Sequence, residues 1–134
     1  MRVQTADFEI GAEIAGLTAG RSDIGAVVTF TGLLRADNAG KAVAGMTLEH
    51  YPGMTERELE RVEAEAHARW PLQASLIVHR VGALRPGDNI VLVITASRHR
   101  QAAFSAAGVP DGLSQDQGAL LEEGDRRRRP GRMG

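Results

Sequence analysis

The sequence predicts an α+β domain built on a mostly antiparallel sheet, and three observations point there. Residues 25–32 read Gly-Ala-Val-Val-Thr-Phe-Thr-Gly, a β-branched run bounded by glycines, which favours a buried strand. Residues 54–70 place Leu59, Val62, Ala66 and Trp70 on one helical face and Glu56, Arg57, Glu60, Arg61 and Glu63 on the other, the period of an amphipathic helix. Arg85-Pro86-Gly87-Asp88 has Pro and Gly where a tight turn wants them, and it joins two further β-rich runs. Helices and strands alternate irregularly, with too few helices for the regular crossovers of a doubly wound α/β fold, the weaker alternative.

Taken in order, residues 3–10 read as a short strand and residues 11–19, with Ile14 and Leu17 three apart, as a short helix. After the strand at 25–32 comes a polar connection over 33–41, then a strand over 42–49; the pair suggests a hairpin with a long loop, a place where function often resides. Thr55 followed by Glu58 reads as a capping box for the long helix, which Pro71 ends. Residues 74–81 and 90–97 are strands, and Ile90, Leu92 and Ile94 alternate along one face of the second. A last helix begins at Gln101 and runs to Ala107. Residues 1–108 therefore form one domain. Residues 109–134 differ: they hold no aromatic residue, only Val109, Leu113, Leu120 and Leu121 as large aliphatics, and the run from Arg126 to Arg129. No period survives there, and the composition predicts a disordered or loosely attached tail.

The whole chain has 134 residues, 16 of them Lys or Arg and 17 Asp or Glu, for a formal net charge of -1. That length suits one core, and that charge argues against a duplex-coating protein, which carries a basic excess. The absence of cysteine removes disulfides, thiolate metal sites and Cys nucleophiles. With no membrane-length apolar run and no signal-like N-terminus, the expectation is a cytoplasmic protein bound to neither membrane nor nucleic acid. Two details stand out: all five aromatic residues precede residue 105, and Lys41 is the single lysine beside 15 arginines.

Among the four histidines, His50, His67, His79 and His99, no two share a metal-ligand spacing, so no metal is expected. His67 reads as a surface residue and His79 as a structural one. Ser97-Arg98-His99-Arg100 lies where a strand ends and a helix starts. Helix N-termini present free N–H groups and a positive dipole; two arginines and a histidine added there describe a phosphate- or carboxylate-binding corner, the alternative being a solvated pair of arginines. Arg35, at another strand end after Gly32, could reach a second anionic group. Residues 49–54, Glu-His-Tyr-Pro-Gly-Met, read as a structural turn, the alternative being a pocket wall. The arginine run at 126–129 resembles a nucleic-acid patch but lacks interleaved aromatics. No phosphate-binding P-loop, dinucleotide fingerprint or nucleophile elbow is present.

Several stretches go further than pattern. Residues 25–32 with Arg35, then Leu48-Glu-His-Tyr-Pro-Gly-Met54, His79-Arg-Val-Gly82 with Pro86-Gly87-Asp88, and Ser97-Arg-His-Arg100 with Ala103-Phe104 together resemble the large, catalytic subunits of molybdopterin synthase, collinearly from about Phe8 to Phe104. The resemblance implies a hammerhead-like α+β fold and a homodimer of large subunits. Each would bind a small ubiquitin-like sulfur-carrier subunit, giving a heterotetramer. The carrier's C-terminal Gly-Gly thiocarboxylate would deliver two sulfurs to cyclic pyranopterin monophosphate, making the dithiolene of molybdopterin. It also implies that Arg35, His99 and Arg100 hold the anionic substrate and that neither metal nor cofactor is needed.

The resemblance fails after Ala107. Family members continue with a helix bearing one catalytic lysine and a Pro-x-Trp-Lys stretch bearing a second; this chain has Gln115 and Glu122 there, so no catalytic residue can be carried over and activity is expected to be impaired. The alternative reading is a non-catalytic module that pairs with the small subunit or a pterin phosphate. The genetic code suggests an origin. With allowed codons chosen for residues 109–124, a reading shifted forward by one base gives Phe-Leu-Met-Asp-Tyr-Leu-Lys-Thr-Lys-Ala-Pro-Phe-Trp-Lys-Lys-Glu, which matches the missing segment and sets lysines over Gln115 and Glu122. A frameshift between Ala106 and Val109 is the expectation.

Overall fold

A computed structural model describes residues 1–38, 41–42 and 45–108; the tail, with Gln115, Glu122 and the arginine run, lies outside the described residues. The elements are β1 (Arg2–Gln4), α1 (Ile10–Thr18), β2 (Ala26–Leu33), β3 (Asp37–Asn38), β4 (Lys41–Ala42), β5 (Met46–Leu48), α2 (Met54–Arg69), β6 (Leu72–Arg80), β7 (Gly82–Leu84), β8 (Asn89–Ser97) and α3 (Arg100–Ala107). The main sheet runs β1-β6-β8-β2. β1 lies parallel to β6, while β8 is antiparallel to both neighbours. The expected α+β class with a mostly antiparallel sheet is the architecture observed.

Apolar alternation explains the layering. Ile77, Val91 and Val93 face one way, packed with Leu59 and Val62 of α2 and with Met46, Leu48 and Leu84 of the small β5–β7 sheet. Val78, Leu92 and Ile94 face the other way, against Phe8, Ile10, Ile14 and Leu17 on and before α1. β8 is covered on both sides, so Ile90 to Ser97 is one buried run, as a central strand requires. Leu59 is 1% exposed; Leu59→Ala is expected to cost about 2–5 kcal/mol, read as a lower urea midpoint. Among the described residues no helix is long and apolar enough to cross a membrane.

Three local expectations are corrected. The strands at 25–32 and 42–49 do not form a hairpin. β2 pairs with β8, β5 pairs with β7, and β3 and β4 make a hairpin of their own between them; non-local packing against β8 prevails over proximity in sequence. β2 is an edge strand rather than a buried one, with Phe30 44% and Leu33 52% exposed. Its composition reflects β-propensity, which does not distinguish edge from centre. The capping box sits two residues earlier than expected: Gly53 is the N-cap at φ 86, and its N–H donates to Glu56 Oε1 at 2.9 Å. Glu58 instead pairs with Arg61 along the helix.

Candidate anion-binding site

The corner between β8 and α3 is built by its neighbours. Ser97 Oγ donates to the Pro71 carbonyl at 2.9 Å and accepts from the His99 N–H at 3.4 Å. The Arg98 N–H donates to Gln73 Oε1 at 2.9 Å, and the Gly25 N–H donates to the Ser97 carbonyl at 2.9 Å. Two separate segments, residues 71–73 and Gly25, thus pin the backbone of residues 97–99. His99 is the extended N-cap of α3, and no side chain caps the helix. Thr95 Oγ donates to the Ala103 carbonyl at 2.7 Å and ties α3 down onto β8. Arg98, His99 and Arg100 all stand exposed. This arrangement offers an anion a helix N-terminus with cationic side chains around it. Asp23 lies near enough for Arg98 to act on it, although Arg21, hydrogen-bonded to Asp23 at 2.7 Å, is the main reason its carboxyl is held below the usual carboxylate range.

Arg35 is exposed at the other end of the sheet. The buried Leu34 beside it exchanges backbone hydrogen bonds with the turn, donating to the Asp88 carbonyl at 2.9 Å and accepting from the Gly87 N–H at 2.7 Å. Along the β2–β8 ladder Leu33 faces Asn89 whereas Ala26 faces Ser97. At about 3.3 Å per residue, the two ends lie roughly 25 Å apart. Within one chain, then, His99 and Arg100 stand together and Arg35 does not join them.

Residues 49–54, read from sequence as a turn, also form a wall. Tyr51 and Met54 line a groove of about 490 Å³ with Thr55, Arg57, Glu58 and Arg61. His50 Nε2 lies 2.7 Å from Glu56 Oε2. The backbone amide of Glu56 and then His50 hold the Glu56 carboxyl below its ordinary range. Its signal in the sequence is the pocket-wall alternative at residues 49–54, and Met54 stands exposed at the start of an otherwise charged helix. His79 is buried within β6 and His67 is hydrogen-bonded to Ser75 at the surface, as expected for structural residues. Among the described residues no group of three or more His, Cys, Asp or Glu is placed to hold a metal ion.

Fold and corners together define an α+β domain with exposed arginines at both ends of its main sheet. Residues 3–109 match the MoaE protein family, and the chain belongs to that family. A molybdopterin synthase catalytic subunit from Mesorhizobium japonicum is 59% identical over 107 residues, 80% of this chain and 66% of that protein. One from Ralstonia nicotianae is 57% identical over 106 residues, 79% of this chain and 60% of that protein. The chain thus spans less than two thirds of the length of these two relatives. The molybdopterin biosynthesis MoaE protein from Burkholderia ambifaria has a matching structure, with a TM-score of 0.73 at 49% identity, over 81% of this chain and 70% of that one.

Proposed function

We propose that the protein acts in molybdenum cofactor biosynthesis as the catalytic subunit of molybdopterin synthase. It would pass sulfur from the C-terminal thiocarboxylate of a small ubiquitin-like carrier to cyclic pyranopterin monophosphate. Each transfer forms a carbon–sulfur bond on the pterin side chain in place of a carbon–oxygen bond, the displaced oxygen leaving as water or with the phosphate. Water then hydrolyses the carrier's thioester so that the carrier leaves as a carboxylate; two transfers complete the dithiolene. The observation that carries the reading is the pinned His99–Arg100 corner in a chain so similar to named catalytic subunits. In this role His99 and Arg100 grip the phosphate through charge-assisted hydrogen bonds, and Arg35 contacts a second anionic group. No metal or cofactor is called for, and the reading places the protein in the cytoplasm.

The separation of Arg35 from that corner supports a homodimer. Among the described residues β2 ends the sheet and leaves one edge unpaired. Antiparallel pairing of two β2 edges about a two-fold axis sets residue 26 of one copy against residue 33 of the other. Arg35 then falls beside Ile24 and Gly25 of the second copy, the segment that holds the Ser97–His99 backbone. Two composite anion sites result from one isologous contact. With one carrier bound to each copy, the assembly is a heterotetramer.

Gln115 and Glu122, where the family carries lysines, favour a second reading: a module that binds carrier or pterin without efficient transfer. Capture of the small subunit on the immobilised chain, followed by a turnover assay, separates the two. Binding with turnover supports the enzyme, binding without turnover supports the module, and failure to bind either ligand contradicts both.

A further inference from the structure

The C-terminal end of α3 does not look like the end of a helix. Helices that stop at a glycine usually turn it left-handed, yet Gly108 keeps φ -78 and ψ -14, and its N–H is shared between the Phe104 carbonyl at 3.2 Å and the Ser105 carbonyl at 3.1 Å. The buried face of α3 is Ala102, Ala103 and Ala106, so its next positions are 109, 110, 113 and 114. In the present reading these are Val109, Pro110, Leu113 and Ser114; a proline there blocks the helix, since it lacks the N–H and disfavours helical backbone at the residue before it. With the codons chosen above, the reading shifted by one base puts Phe, Leu, Tyr and Leu at the same four positions, with Asp and Lys falling off the stripe. That reading keeps the phase and the present one does not.

The sheet has room for the continuation. Ala103 sits over Thr95; Val93 and Val91 further along β8 are already covered, so the room lies over their partners on β2, Phe30 and Gly32. Phe30 lies on the α3 side of the sheet and is 44% exposed, as is 64% of Phe104. A side chain at Gly32 would meet Val91 Cγ1 at 2.9 Å, so the glycine keeps that surface low. The curated relatives are longer than the matched segment.

We propose that residues from 109 onward are read one base out of the frame that encodes the fold, and that the neighbouring frame continues α3 across Phe30 and Gly32. The inference rests on the fold and not on the reaction. Its first test is the nucleotide sequence already underlying codons 109–124. Many synonymous choices would not spell the amphipathic segment; the proposal expects the actual ones to spell it, and a stop codon or polar residues at the four stripe positions overturn it. The second test expresses the chain with one base removed at codon 109. Greater helicity, a Tm higher by about 10 °C or more and amide exchange at residues 106–108 slowed at least tenfold are expected. Unchanged Tm and exchange overturn the proposal, whatever the protein's activity.

Discussion

Gly25→Ala is expected to destabilise the domain and to loosen the anion corner at once. A Cβ at this position is driven into the Arg98 carbonyl oxygen. That oxygen is backbone and cannot swing aside like the end of a flexible side chain. Its own peptide is tied by the His99 N–H to Ser97 Oγ, which Pro71 holds, and the peptide before it is held by Gln73 at the Arg98 N–H and by Gly25 at the Ser97 carbonyl. Relief therefore means moving β2 away from β8 or tilting the start of α3. Overpacking of this kind costs about 1–3 kcal/mol or more, and the displaced backbone carries His99 and Arg100 with it. Urea unfolding reads the first effect and phosphate titration the second. Gly16→Ala, in α1 with nothing within 4 Å of the added carbon, is the control, expected to stabilise by about 0.5–1 kcal/mol. Equal behaviour of the two variants would contradict the tight approach at Gly25.

The second large effect concerns how the binding groups are shared. His99→Ala with Arg100→Ala, and separately Arg35→Ala, are each expected to weaken binding of a phosphate-bearing pterin by about 10- to 100-fold, since hydrogen bonds to charged groups contribute about 1.5–3 kcal/mol. The mixture is more telling than either variant. When the two mutant chains are unfolded together and refolded, half the dimers are mixed by chance, and each mixed dimer joins an intact Arg35 from one chain to an intact His99–Arg100 from the other. About a quarter of the sites should recover full affinity if two copies build each site. No recovery is expected if each chain carries a complete site, and that outcome would remove the β2-edge dimer from the account.

The local geometry of the candidate corner and part of the fold were legible in the sequence, for identifiable reasons. Residues 97–100 read correctly as a strand-to-helix corner because a β-branched run gives way abruptly to arginines and then to small helix formers. The amphipathic helix was equally clear, because Leu59, Val62 and Ala66 repeat at helical spacing and all three are buried. Strand pairing was not legible: β2 and β5 look alike as neighbours in sequence, and what separates them is that β8 can be covered on both faces while β5 needs only the short β7. The capping residue was misplaced because Gly53 caps through its backbone, which leaves no side-chain signature. The distance between Arg35 and His99 was invisible as well, since both stand at strand ends and only the antiparallel register of β2 and β8 shows the ends to be opposite.

The central claim is that this domain holds a pterin phosphate and a carrier thiocarboxylate for sulfur transfer. The most direct measurement is single-turnover formation of molybdopterin from cyclic pyranopterin monophosphate and thiocarboxylated small subunit. It should be run with the present chain and with the chain lacking one base at codon 109. The account predicts that both chains bind the two ligands and that the shifted chain, with lysines over Gln115 and Glu122, transfers sulfur at least 100-fold faster. Equal transfer by the two chains would remove the part given to positions 115 and 122, and no product from either chain would contradict the central claim.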